Sequence, residues 1–488
     1  MRASGILLPI FSLPSKTGIG CFSKEARNFI DMMHEADQRF WQILPINPCG
    51  KGNSPYQPIS CFAGDPIYID PETLLLKGLL SNHDISDLTS QCGAADEEHV
   101  NYEVIRPLRM KLLRLAFNNF VPDDAFDEFK ENNSGWLRDY ARYAEQKFKS
   151  DAEFEMWMQY EFFSEWQAIL SYAHSKNVEI IGDLPIYASL ESADCEANPE
   201  IFMLRSDGSP SFVGGCPPDA FSKDGQIWDN PIYDWDLMKR NGYLWWINRL
   251  RHSFMMYDVI RLDHARGFES YYAIPVDDPN PSSGHWIKGP GTDFFNKIKE
   301  VFANPRIIAE DLGFLTPEVR KMIRETGFPG MCVIQFAFDF RPFNPYLPKN
   351  ISTNSVVYTG THDNDTTLGW LRSLNYRTKN YVCDILRHSN GWIGANDIMN
   401  DTEILKAIIR ASFFCNADTC ITPMQDFLAL GSNCRMNIPG TPSNNWVWRM
   451  RKDDFDYSLS RRISKLTDES CRSNSSSNKT KAIHDSKG

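Results

Sequence analysis

The sequence predicts an α/β chain folded as a (β/α)8 barrel. Eight short apolar runs, rich in Ile, Val or aromatic residues, are bounded by Gly, Pro or polar residues, and helical segments separate most of them. Strand–helix alternation with eight strand candidates is the pattern of a closed parallel barrel. The periodicity alone also fits an open doubly wound sheet. The third observation is the uneven spacing of the runs, which predicts long insertions in a regular frame.

In chain order the strand candidates are residues 5–8, 40–44, 178–183, 257–263, 306–311, 331–336, 355–359 and 419–424. The helices between them are predicted over 23–35, 153–175, 243–253, 316–326 and 403–414. Ser23 is an N-cap candidate. Thr316-Pro317-Glu318 combines a cap, a proline at the first helical position and an acid against the helix dipole. Between the second and third strands, a charged stretch with Leu, Phe and Trp at helical intervals predicts a helical insertion over about 71–150. After the third strand, residues 189–243 are rich in Gly, Pro, Asp and Trp and predict a loop-like insertion. Insertions that leave the C-terminal ends of barrel strands are where such folds build their sites. The catalytic unit is expected over 1–466. The Ser, Asn and Lys-rich stretch at 467–488 is expected to be a disordered tail.

The 488 residues need no disulfide or metal staple for a core. With 42% hydrophobic and 23% charged residues, disorder of the whole chain is excluded. Lys plus Arg is 51 against 63 Asp plus Glu, a net charge of −12, which argues against nucleic acid as the partner. No run of about 18 apolar residues is present and the N-terminus lacks a signal-peptide pattern, so membrane insertion and export are not expected. The 12 cysteines are scattered without a C-x-x-C pair and read as reduced thiols of a cytoplasmic protein. No zinc, dinucleotide or phosphate-loop motif is present, and no loop of clustered acids has calcium spacing. The 13 Trp, 18 Tyr and 31 Phe fit either core filling or a groove of flat stacking surfaces.

Three strand candidates end in acids. Arg261 and Asp263 alternate onto one face of the fourth strand, where an arginine would hold the carboxylate ionised and oriented. Glu310 and Asp311 end the fifth strand on opposite faces, so one of them reaches a site. His362, Asp363 and Asp365 follow the seventh. Taken singly, Arg261-Leu-Asp263 is the pattern of a structural ion pair, Glu310-Asp311 of a polar strand end, His362-Asp363 of a metal site or a simple turn (a metal wants more spaced His ligands than this chain offers), and Asp183 of a loop cap. Converging on one barrel mouth, three such acids suit glycoside chemistry. One attacks the anomeric carbon, a second with a raised pKa protonates the leaving oxygen, and a third fixes sugar hydroxyls.

These segments together resemble the 4-α-glucanotransferase family (amylomaltase or disproportionating enzyme, glycoside hydrolase family 77 of the α-amylase clan). The resemblance runs from Arg2 to about Met450. It rests on Ser4-Gly-Ile-Leu-Leu with Ser12-Leu-Pro, Gly52-Asn-Ser-Pro-Tyr-Gln57 with Phe62-Ala-Gly-Asp-Pro66, and Gly182-Asp-Leu-Pro-Ile-Tyr187. It continues through residues 215–221 and Gly225-Gln-Ile-Trp-Asp-Asn-Pro231, then Arg261-Leu-Asp-His264 and Ala309-Glu-Asp-Leu-Gly313. Thr361-His-Asp-Asn-Asp365 and Arg435-Met-Asn with Asn445-Trp446 complete it.

The resemblance implies a barrel with helical and loop insertions and no separate C-terminal β-domain. It implies transfer of an α-1,4-glucan segment to the 4-hydroxyl of glucose or another glucan by retaining double displacement, in maltooligosaccharide, starch or glycogen metabolism. A hydrolase of the α-amylase type is the alternative with the same site. By position Asp263 is similar to the family's nucleophile, Glu310 to its general acid/base and Asp363 to its transition-state stabiliser. Arg261 and His362 match sugar and carboxylate partners, and Ser54 and Tyr56 match the donor groove. Asp219, Gln226, Trp228 and Asn437 match further substrate contacts, with 219–228 as a lid over the acceptor side. The implied partners are α-1,4-glucans and maltooligosaccharides, with no cofactor and no metal, and the chain is expected as a monomer or homodimer. Asp229 and Asn444 stand where the family often has Gly.

Overall fold

In the computed structural model the described residues are 2–92, 98–218, 224–313, 315–389, 400–441 and 444–473. Among the described residues there are twelve strands, in chain order β1 (Ala3–Leu7), β2 (Phe40–Gln42), β3 (Glu179–Leu184), β4 (Phe212–Cys216), β5 (Gln226–Pro231), β6 (Val259–Leu262), β7 (Ser270–Pro275), β8 (His285–Lys288), β9 (Ile307–Ala309), β10 (Gly330–Val333), β11 (Ser355–Tyr358) and β12 (Thr419–Pro423). Eight of them close a barrel in the order β1-β12-β11-β10-β9-β6-β3-β2, every pair parallel. Each apolar run of the sequence is one barrel strand, and closure excludes the open sheet. The lumen is filled by side chains such as Leu7, Ile181, Val259, Ile308, Val356 and Ile421, so the barrel is a packed core. Around it lies a shell of helices. Ser23 and Thr316 cap the helices Lys24–Glu35 and Pro317–Thr326, their side chains accepting from the N–H groups of Glu25 and Val319.

The first insertion, between β2 and β3, is helical and carries the long helix Tyr102–Asn119. The second differs from a loop. Its strands β4 and β5 join β7 and β8 in an antiparallel sheet of order β5-β4-β7-β8. Gly214-Gly215 in β4 and Asp229-Asn230-Pro231 in β5 read locally as turns, and pairing with a hairpin some sixty residues downstream overrides that reading. Gly215 is required there, since a Cβ would lie 2.3 Å from the Gln226 carbonyl oxygen.

The boundary expected at 467 also moves. The helix Tyr457–Glu469 runs through it, and beyond the helix Arg472 is buried and donates to the carbonyls of Ala3, Phe413, Cys415, Ala417 and Asp418. A guanidinium with this many carbonyl acceptors ties the chain under the barrel; residues 474–488 lie outside the described ones. Among the described residues the twelve cysteines form no disulfide. No described helix is long and apolar enough to cross a membrane.

Candidate active site

The C-terminal ends of β3, β6, β9 and β11 bring four acids to one mouth of the barrel. β3 and β6 pair with Asp183 opposite Arg261. The Arg261 Nη1 donates to both Asp183 oxygens at 2.7 Å and to Asp263 Oδ1 at 3.0 Å. Arg261 and Asp183 are buried, whereas a quarter of the Asp263 side chain faces the opening. Asp183 thus neutralises part of the arginine from below, and Asp263 uses its open side.

Glu310 follows β9 and folds back onto the turn after Asp263. Its Oε2 accepts the His264 N–H at 2.7 Å and its Oε1 the Leu312 N–H at 3.0 Å, while its carbonyl accepts the Ala265 N–H at 3.0 Å. His264 adopts the left-handed backbone, φ +48°, which turns its amide toward Glu310. Asp311 points the other way and accepts the Met331 N–H at 2.7 Å; of this acidic pair, Glu310 reaches the site.

Asp363 follows β11. Asn437 Nδ2 donates to its Oδ1 at 2.6 Å, and His362 Nε2 lies 3.3 Å from its Oδ2. Arg435 holds the same corner by donating to the carbonyls of Asp363 and Asn437, both at 2.6 Å. Tyr56 completes the floor. Its hydroxyl donates to Asp183 Oδ2 at 2.8 Å, and its ring stacks on His362 at 5.1 Å between centroids and 18° between planes. Trp446 packs against both rings, at 5.7 and 5.9 Å.

Burial raises Asp263 to about 7, against the pull of Arg261 and with help from the neighbouring carboxylates. Burial raises Glu310 as well, although Arg261 and its two amide donors lower it. Asp363 moves the other way: burial opposes its charge, but His362 and Asn437 hold it well below the ordinary carboxylate range. Burial likewise opposes the His362 cation and Asp363 outweighs it, so that imidazole is raised. Burial thus raises the proton affinity of Asp263 and Glu310, while Asp363 is held as an anion.

On the opposite wall, Trp228 meets the His264 ring at 5.0 Å, edge to face. Gln226 Oε1 accepts the Trp228 indole N–H at 3.1 Å, and Gln57 Nε2 donates to the Trp228 carbonyl at 3.3 Å. Ser54 lies in the turn that presents Tyr56, its hydroxyl oxygen accepting the Tyr56 N–H at 3.3 Å. Asp219 lies outside the described residues. Asp263, Glu310, Asp363, Arg261, His362, Tyr56 and Asn437 thus form one connected cluster, with Gln226 and Trp228 facing it across His264. Sequence reasoning left Asp183 as a loop cap and gave no role to Arg435 or Trp446. The available signal for Asp183 was its place one strand over from Arg261. Among the described residues no group of three or more His, Cys, Asp or Glu is arranged to hold a metal ion.

A family profile described as 4-alpha-glucanotransferase matches residues 8–151 and 143–454. A 4-alpha-glucanotransferase of Clostridium butyricum is 40% identical over 493 residues, covering 94% of this chain and 98% of that protein. One from Thermus thermophilus is 38% identical, covering 92% and 95%. Among solved structures, the amylomaltase from Streptococcus agalactiae in complex with acarbose superposes with a TM-score of 0.91 at 34% identity, over 97% of this chain and 100% of that one.

Proposed function

This chain belongs to the 4-α-glucanotransferase family, and on that premise we propose the roles of its residues. Its activity is 4-α-glucan transfer, and the hydrolase alternative is not favoured. The substrates are α-1,4-glucan oligosaccharides. Asp263 is the nucleophile: Arg261 fixes its inner oxygen and its other oxygen is left to attack the anomeric carbon of the donor. Glu310 gives its proton to the leaving 4-oxygen, and a covalent glycosyl–Asp263 ester forms as the glycosidic bond breaks. A second glucan then offers its 4-hydroxyl, Glu310 takes that proton, and the new bond to C1 releases Asp263. Asp363 remains an anion throughout and holds sugar hydroxyls as positive charge develops on the ring.

The observation that carries this reading is that Glu310, from the end of β9, bonds the turn directly after Asp263, while Arg261 contacts Asp263 and acts electrostatically on Asp363. Burial raises both carboxyls, and the direct Arg261 contact at 3.0 Å is to Asp263, where it favours the charged form a nucleophile needs. Maltotriose tests the function. Transfer produces glucose and a ladder of longer maltooligosaccharides with no gain in total reducing ends, and a rising reducing-end count in its place overturns it.

A further inference from the structure

We propose that Tyr102 and Arg106, on the inserted helix Tyr102–Asn119, are positioning residues for Tyr56 and so link the helical insertion to donor binding. This rests on the glucanotransferase reading above and assigns the insertion a part in it.

The insertion grips both segments that place the Tyr56 ring. On one side, Arg106 reaches the loop before Tyr56. Its Nε donates to Asn53 Oδ1 at 3.3 Å, while Nη1 and Nη2 clamp Asp65 at 3.1 and 2.9 Å. Asp65 is buried and also accepts the Ile67 N–H at 3.1 Å, so Arg106 is held at a fixed point and carries Asn53 with it. Asn53 and Gly52 both have left-handed backbone, φ +55° and +80°, so the loop turns sharply just ahead of Ser54 and Tyr56. On the other side, the Tyr102 hydroxyl donates to the Trp446 carbonyl at 3.0 Å. Two main-chain bonds run beside it: Val100 N–H to the Val447 carbonyl at 2.8 Å, and Arg449 N–H to the Glu98 carbonyl at 2.7 Å.

Trp446 needs this support. A bulky residue at φ +62° is strained unless its surroundings fix it. Its N–H is held by the Met436 carbonyl at 2.8 Å, and its carbonyl by Tyr102. The ring so fixed lies 5.7 Å from Tyr56 and 5.9 Å from His362. Tyr56 is therefore packed between a loop set by Arg106 and an indole set by Tyr102, and its own contacts to Asp183 and His362 depend on both.

Arg106 cannot simply be deleted, because its loss strands the buried Asp65 charge. Tyr102→Phe and Asn53→Gly remove the two contacts while sparing Asp65 and the left-handed turn. Each is expected to lower kcat/KM for maltotriose about tenfold through misplacement of the Tyr56 ring, with an unchanged circular dichroism spectrum. Asn53→Asp keeps an acceptor for Arg106 and is expected to escape the loss seen with Asn53→Gly. In a Tyr56→Ala background the same two substitutions should change kcat/KM by less than about twofold, since their target is gone. Unchanged kcat/KM in the parent enzyme, or the same loss in both backgrounds, overturns the proposal. A parent enzyme that does not disproportionate maltotriose overturns the functional reading instead.

Discussion

Glu310 hangs from the amide of His264, with 2.7 Å between its Oε2 and that nitrogen, one residue past Asp263. The contact ties the proposed acid/base to the turn of the proposed nucleophile. Both Glu310 oxygens accept main-chain N–H groups. Glu310→Gln turns one acceptor into a donor facing an N–H and removes the transferable proton. The variant should fold, lose a little thermal stability, and lose turnover on maltotriose by about 10²–10⁴-fold or more. Activity near the parent level would move the acid role elsewhere.

Asp263→Asn tests the electrostatic strain of the cluster. In an unfolded chain an aspartate titrates near 3.9; in the fold burial lifts Asp263 to about 7. The folded form binds this proton more tightly, so the group's stabilising contribution is complete below about pH 4 and is lost as pH rises through about 7. Asparagine mimics the protonated acid and has nothing to lose. The thermal midpoint of Asp263→Asn should exceed the parent's by a few degrees at pH 8, and by less at pH 5, while transfer activity is abolished. A gap that does not narrow on acidification would place the raised proton affinity on another group.

The barrel was legible because buried parallel strands are continuous apolar runs, and all eight runs had that form. The acids at their ends were legible for the same reason: once a strand is placed, its last residue is placed too. Asp183 was not, because its meaning comes from Arg261 on the neighbouring strand, and pairing register is not written in either segment. The β4-β5-β7-β8 sheet was hidden by glycines that local rules read as loop but that close backbone approach demands. Asn437 and Trp446 lie far along the chain from Asp363 and Tyr56, and only the closed barrel brings them together.

Asp229 lies in an irregular stretch of β5, where the pairing with β4 shifts register, and has φ +60°. This is a conformation glycine adopts freely and aspartate tolerates. Asp229→Gly is expected to leave stability and turnover close to the parent's. Asp229→Val puts a β-branched residue there, which should cost about 1–2 kcal/mol and displace the adjoining Trp228. Thermal melts and kcat/KM of the pair check this, and a valine variant as stable and active as the glycine one would show that the left-handed turn is not needed.

Trp228 bears on the choice between sugar and water as acceptor. Its ring closes over His264, beside the turn that carries Asp263, and its carbonyl and indole N–H are held by Gln57 and Gln226. On the proposed mechanism, a flat apolar surface fixed at this point would hold an acceptor sugar by stacking and keep water from the glycosyl ester. Trp228→Ala removes both effects while leaving the acids and Arg261 in place. Formation of the ester should therefore persist, and its fate should change. Total glucose release from maltotriose is expected to stay within about tenfold of the parent, while the share of turnovers that end in hydrolysis rises. The two are separated by counting reducing ends against glucose in the same sample. If the reducing-end count stays flat, Trp228 does not decide the acceptor. If glucose release collapses with it, Trp228 acts on formation of the ester rather than on its resolution.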